Sequence, residues 1–252
     1  MRVIVTDDYE SMSQEAARLV ASQLYIKPDS VLGLATGSTP LGLYRQLREL
    51  HQKIRLDFSE VITFNLDEYL TLSPDNPQSY HYYMEHNLFS GINIDRRHCH
   101  LPNGLAEDTA GECAVYDQML EAAGGVDLQI LGIGVNAHIG FNEPDIKFEA
   151  RTHVVRLNEE TRRENARFFP RVEDVPDHAI SMGIRNIMMA KKILLLASGP
   201  KKAAAIYKTV CGSILPQAPA SILQLHRDAV IIVDRAAASL LPEDKVWKYA
   251  KS

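Results

Sequence analysis

The feature that most constrains this chain is a repeated alternation. Short apolar runs rich in β-branched residues recur at 2–6, 31–35, 61–65, 128–133, 193–197 and 229–234. Segments with helical spacing lie between them. In 11–25, Ala16, Leu19, Val20 and Leu24 share one face; in 40–50, Leu43, Leu47 and Leu50 do the same. Thr39 followed by Pro40 predicts a helix cap and first turn. Residues 78–90, 108–123, 201–211 and 235–241 also carry helical spacing. Strands alternating with helices predict βαβ units, hence an α/β chain with an open, mostly parallel twisted sheet and helices on both faces.

The chain has 252 residues, enough to bury a sizeable core, and is expected to form one domain over 1–252. One segment departs from the alternation. Residues 156–176, RLNEETRRENARFFPRVEDVP, are heavily charged with few apolar positions. They predict a helix-bearing excursion over the sheet, and a mobile lid. The net charge of -5, without a dense basic run, argues against a nucleic-acid surface. The opening MRVIVTDDYE has no apolar leader, and no run is long enough to span a bilayer, which predicts a cytoplasmic chain. Cys99, Cys113 and Cys211 are odd in number and widely spaced, which fits free thiols in a reducing compartment.

In a sheet of this kind ligands bind outside the carboxyl ends of the strands. Three post-strand segments carry chemistry. In VLGLATGSTPLGLY a strand runs into Thr36, Gly37, Ser38 and Thr39 as a helix begins. Free N–H groups and small hydroxyls there make an anion cradle, and Gly37 allows close backbone approach. The same residues also read as an ordinary cap in a tight turn. In VITFNLDEYL a strand end delivers Asp67 and Glu68 among Phe64, Leu66, Tyr69 and Leu70. Such a flank raises a carboxyl pKa and makes a better base; alone, the pair also reads as a solvated turn. In LGIGVNAHIGFNEPD, Gly132, Gly134 and Gly140 surround His138, and Glu143 follows five residues on. A histidine there can move protons near neutral pH, with the acid to orient it.

Two basic positions add to this. Lys202 falls in the first turn of a helix, where it opposes the helix dipole and makes more sense as a phosphate partner. Arg167 sits in the charged excursion, one helical turn after Arg163. His98-Cys99-His100, and His81 with His86, lack the usual zinc spacing, so no metal is expected. No G-x-S-x-G elbow is present.

Together LATGSTP, FNLDEY, GIGVNAHIGFNEP, TRRENARFF and SILQLH resemble the glucosamine-6-phosphate deaminase family. The likeness runs in order from about residue 30 to 233. It implies a Rossmann-like fold and conversion of glucosamine 6-phosphate and water to fructose 6-phosphate and ammonia, without a cofactor. It implies that Asp67 moves the C2 proton to C1, and that His138 opens the pyranose ring with Glu143 as its partner. Asn136 stands where many members of the family have aspartate, which removes a negative charge beside the histidine. Ser38, Thr39, Arg167 and Lys202 fall where the family holds the phosphate. After the FNEP motif the chain reads DIKFEARTHVVRL. Ile146, Lys147, His153 and Val155 replace the serine and basic residues of the family's activator site. The resemblance therefore implies no allosteric activation, and with the end at Ser252 a monomer or small homo-oligomer.

Two alternatives share the fold. A 6-phosphogluconolactonase needs a phosphate cradle and a histidine but no C2–C1 proton shuttle, so FNLDEY favours the deaminase. A sugar-phosphate sensor needs neither catalytic group, and this chain has both.

Overall fold

All of the β-branched runs become strands of a single sheet. A computed structural model describes residues 1–166, 169 and 171–246, apart from the side chains of 160 and 164. In chain order the elements begin β1 (Arg2–Thr6), α1 (Tyr9–Ile26), β2 (Val31–Leu34), α2 (Leu41–Ile54) and β3 (Ile62–Asn65). Next come β4 (Asp67–Tyr69), α3 (Tyr80–Asn87), β5 (Cys99–His100), α4 (Thr109–Ala122) and β6 (Leu128–Leu131). Then follow β7 (His153–Arg156), α5 (Glu159–Asn165), β8 (His178–Ser181) and α6 (Ile184–Met188). The last are β9 (Lys192–Ala197), α7 (Ala203–Cys211) and β10 (Ala229–Asp234).

The main sheet has seven strands in the order β1-β10-β9-β6-β2-β3-β5, and every adjacent pair is parallel. From β2 the chain winds outward through β3 to β5. It then returns to β6, on the other side of β2, and winds the opposite way. The direction of winding therefore reverses between β2 and β6. Right-handed crossovers put α1 and α2 on one face and α4 and α7 on the other. Strand β2 is buried at all four residues, β6 at all four and β10 at all six. A helix-covered parallel sheet requires this, because neither face meets water.

The expected helix faces are the buried ones. Met12, Ala16, Val20 and Leu24 of α1 repeat every fourth residue and lie in the core, as do Leu43 and Leu47 of α2. Pro40, not Thr39, is the N-cap of α2, and it makes no side-chain capping bond. Residues 235–241 are turns rather than a helix. Asp234 holds them by accepting from the Ala237 N–H at 2.7 Å.

A second sheet, order β4-β8-β7, is antiparallel and had no counterpart in the sequence pattern. The charged excursion is the connection between β7 and β8. It carries α5, and its Phe169 joins Tyr69, Phe141, Leu157 and Ala179 in a small second apolar cluster.

At the amino ends of the central strands, just before β6, Asp127 ties neighbouring segments together. Its carboxylate is 3 % exposed and accepts from the Val31 N–H at 2.8 Å, Lys27 Nζ at 2.6 Å and Lys191 Nζ at 2.6 Å. Burial opposes its ionisation, but the lysines and the N–H outweigh burial and hold its pKa below the ordinary value. The lysines are partly exposed and can turn to water when the carboxylate is removed. Asp127→Asn should cost about 2 kcal/mol at neutral pH in a urea titration. A depressed carboxyl pKa gives stability that is full above the unfolded pKa and lost as pH falls through the folded one. The gap between variant and wild type should therefore close in acid.

Candidate active site

Four adjacent strands, β9, β6, β2 and β3, send their carboxyl ends to one place. A cavity of about 130 Å³ there is lined by Thr36, Gly37, Ser38 and Thr39 after β2, and by Asp67 after β3. The loop after β6 adds His138, and the segment after β9 adds Lys202. Because β2 and β6 flank the reversal of winding, this is the crevice where an open α/β sheet takes its ligand.

The cradle after β2 is braced from behind. Tyr83 donates its hydroxyl to the Gly37 carbonyl at 2.6 Å. The Tyr9 hydroxyl lies 3.1 Å from the carbonyls of Ser38 and Thr39 and accepts from the Gly42 N–H at 2.7 Å. Gly37 has φ +89°, the left-handed region, so a side chain there would be strained. Lys202 sits at the end of a 3-10 turn, Pro200–Lys202, and is the N-cap of α7 rather than a residue within its first turn. That turn is fixed by Asp234, which accepts from the Gly199 N–H at 2.9 Å and the Ser198 hydroxyl at 2.5 Å. Arg167 lies outside the described residues.

Asp67 opens β4, opposite Ser181 of β8, and is 6 % exposed. Burial, and then the neighbouring Glu68 carboxylate, push its pKa up to about 8. Glu68 differs from Asp67 in its surroundings. It is 1 % exposed and is spent on structure. It accepts from the N–H groups of Tyr69, Tyr80 and His81 at 2.8, 2.9 and 2.9 Å, and pairs with His81 Nδ1 at 2.8 Å. It thereby seats the start of α3 and brings Tyr80 to the cavity wall, where Tyr80 stacks on Phe141.

His138 sits in a tight loop. The Gly134 N–H donates to the His138 carbonyl at 3.0 Å, and the Ala137 N–H donates to the Gly134 carbonyl at 3.0 Å. A Cβ on Gly134 would lie 2.3 Å from the imidazole, so only glycine lets the ring fold back here. Ala137 is wholly buried with φ 70°, a conformation that costs an L-residue energy and persists because packing fixes it.

Glu143 lies behind the ring. Its Oε2 is 3.4 Å from His138 Nδ1, close enough for an ion pair but not aligned as a hydrogen bond. Asn136 Nδ2 donates to the same oxygen at 2.9 Å, while Asn136 Oδ1 accepts from the His138 N–H at 3.1 Å. Burial raises the Glu143 pKa, but His138, Thr161 and Asn136 outweigh it, and the net shift is downward. Thus Asp67 is held towards the acid form and Glu143 towards the carboxylate.

Several groups here carry no obvious sequence signal. Thr161 and Asn165 of α5 line the cavity, and Ser181 holds the Phe141 N–H at 3.0 Å. Asn158 is the exception: it precedes Glu-Glu-Thr-Arg and is the N-cap of α5, a pattern that a capping search would find. Among the described residues no group of His, Cys, Asp and Glu is placed to hold a metal, and no helix is long and apolar enough to cross a membrane.

Residues 7–232 match the family of glucosamine-6-phosphate isomerases/6-phosphogluconolactonase. A glucosamine-6-phosphate deaminase of Thermoanaerobacter sp. (strain X514) is 57% identical over 244 residues, which cover 97% of this chain and 96% of that protein. One from Clostridium botulinum (strain Kyoto / Type A2) is 57% identical over 241 residues, covering 96% and 99%. A solved structure described as a monomeric glucosamine-6-phosphate deaminase superposes with a TM-score of 0.94 at 51% identity, covering 95% of this chain and all of that one. A 6-phosphogluconolactonase from Trypanosoma cruzi shares the fold alone, with a TM-score of 0.76 at 17% identity. By the family match and by identity across nearly its whole length, this chain belongs to the glucosamine-6-phosphate isomerase/6-phosphogluconolactonase family.

Proposed function

We propose that the chain is a glucosamine-6-phosphate deaminase, converting glucosamine 6-phosphate and water to fructose 6-phosphate and ammonia. The observation that carries the reading is one cavity holding a desolvated carboxyl, Asp67, and a carboxylate-backed imidazole, His138, beside an anion cradle. Identity of 57% to proteins named as deaminases supports it over the lactonase reading, which has only the shared fold.

The phosphate is held by the Thr36–Thr39 cradle and Lys202, which fixes the sugar so that C1 and C2 meet the reacting groups. His138 delivers a proton to the ring oxygen and receives the proton of the C1 hydroxyl, so the bond between C1 and the ring oxygen breaks, the pyranose opens and the imidazole ends in its starting protonation state. Glu143 and Asn136 keep the imidazole oriented. Asp67, as carboxylate, takes the proton from C2 and returns it to C1, while one amine proton passes to the C1 oxygen. The resulting C2 imine adds water and releases ammonia. A lactonase has no use for the Asp67 step. The solved relative described as monomeric supports a monomer here too. The altered residues at 146, 147, 153 and 155 support a chain without an activator site.

Asp67→Asn should lower kcat at least about a hundredfold, read as ammonia and fructose 6-phosphate release. A raised carboxyl pKa means that ionised Asp67 costs the fold stability as pH rises towards about 8. The variant should therefore be no less stable than wild type at pH 8, which separates lost chemistry from lost folding. Because the base must be ionised, kcat/KM should fall as pH drops below about 8.

Lys202→Met should raise KM for the phosphorylated sugar at least about tenfold and weaken inhibition by inorganic phosphate to match. An unchanged KM would remove Lys202 from the cradle.

A further inference from the structure

Glu143 is tethered to the charged excursion as well as to its own loop. Thr161 of α5 donates its hydroxyl to Glu143 Oε1 at 2.5 Å. Asn158, the cap of the same helix, donates Nδ2 to Oε2 at 2.7 Å. These two contacts are shorter than the Asn136 contact and, among the described residues, supply half of the four partners around the carboxylate. Thr161 is 3 % exposed, so its hydroxyl is committed to this bond. Asn158 has two roles at once: Oδ1 accepts from the Thr161 N–H at 2.8 Å, starting the helix, and Nδ2 faces Glu143.

The geometry points to Asn158 and Thr161 as positioning residues for Glu143, so that the carboxylate behind His138 is complete only while α5 is docked on it. The inference rests on the deaminase reading for its catalytic consequence, but the tether itself does not.

The physical reason is direct. Each neutral donor favours the charged form of a carboxylate whose burial disfavours it. With α5 away, Glu143 would keep Asn136 and His138 but lose both donors on the excursion. Its charge would be less well held, and its oxygens would no longer be fixed relative to His138 Nδ1. Docking of α5 also completes the cavity, because Thr161 and Asn165 line it. Closing the cavity and setting the ring-opening pair are therefore one event. Among the described residues the ion-pairing partner of Glu143 is His138. A second cavity of about 370 Å³ behind Glu143 carries Asp145, Lys147, Glu149, His153 and Arg156, with Lys147 paired to Glu149 at 2.7 Å. On α5, Arg163 is paired to Glu159 and Arg162 to Asp177, and the described contacts of the helix and its cap to Glu143 come from the neutral donors Thr161 and Asn158.

The test uses Thr161→Val, Thr161→Ser and Asn158→Asp. The last keeps a capping oxygen for α5 but replaces the donor by an anion facing Glu143. The Glu143 carboxyl is followed by 13C NMR on glutamate-labelled protein, with Glu143→Gln to assign the resonance. Its titration should move up by about one pH unit in Thr161→Val and further in Asn158→Asp. It should return to the wild-type position in Thr161→Ser. In parallel, kcat should fall about tenfold in Thr161→Val with little change in KM, and Thr161→Ser should recover it. An unmoved Glu143 titration in both Thr161→Val and Asn158→Asp overturns the inference. So does a moved titration with kcat unchanged. If wild type releases no ammonia while the titrations still move, the reaction has been misread and the tether stands.

Discussion

A carboxyl group held out of water decides how the rest of this site must be built. Asp67 reaches its place because the chain leaves β3, continues through Leu66 and pairs at once with β8. That pairing removes it from solvent at the carboxyl edge of the main sheet. Left alone, such a group would stay protonated at neutral pH. The site works with this tendency. Glu68 next door raises the Asp67 pKa further, yet is itself consumed by three backbone N–H groups and His81. One acidic dipeptide thus yields a carboxyl with a raised pKa and a helix anchor.

The two carboxylates of the proposed reaction are set apart by what surrounds them. Asp67 has burial and a like charge; Glu143 has burial too, but also Asn136, Asn158, Thr161 and His138 around it. Environments that drive two acids in opposite directions divide roles between them. Asp67 is pitched near the pH where it can both take and return a proton, and Glu143 is pitched to stay charged and hold His138. Asparagine at 136 fits this division. It donates one arm to Glu143 and accepts the His138 N–H with the other, a bridge that its amide makes without adding charge.

The main sheet could be read from the chain because its longer strands are contiguous, largely apolar runs, and β2, β6 and β10 are buried along their whole length. The second sheet could not. Its strands have three or four residues, and β4 is Asp-Glu-Tyr, whose composition signals a turn. Strand β4 forms only by pairing with β8, more than a hundred residues on in the chain. Residues 235–241 erred the other way: an alanine-rich, helically spaced stretch is held as turns by Asp234. At the site, Asp67, His138 and the 36–39 cradle followed from their place after strands. The hydrogen bonds of Glu68 to the start of α3 and of Thr161 to Glu143 did not, because a buried cap and a contact between distant loops leave no local pattern.

The most direct test of Asp67 as the single base is the stereochemistry at C1. Glucosamine 6-phosphate turned over in deuterium oxide should give fructose 6-phosphate with any new C1 deuterium on one face only. A buried carboxyl on one side of the sugar can reach no other. Deuterium shared between the two C1 positions of freshly formed product would mean that the proton arrives from solvent or from more than one group. That result would contradict the assignment of Asp67 as the base.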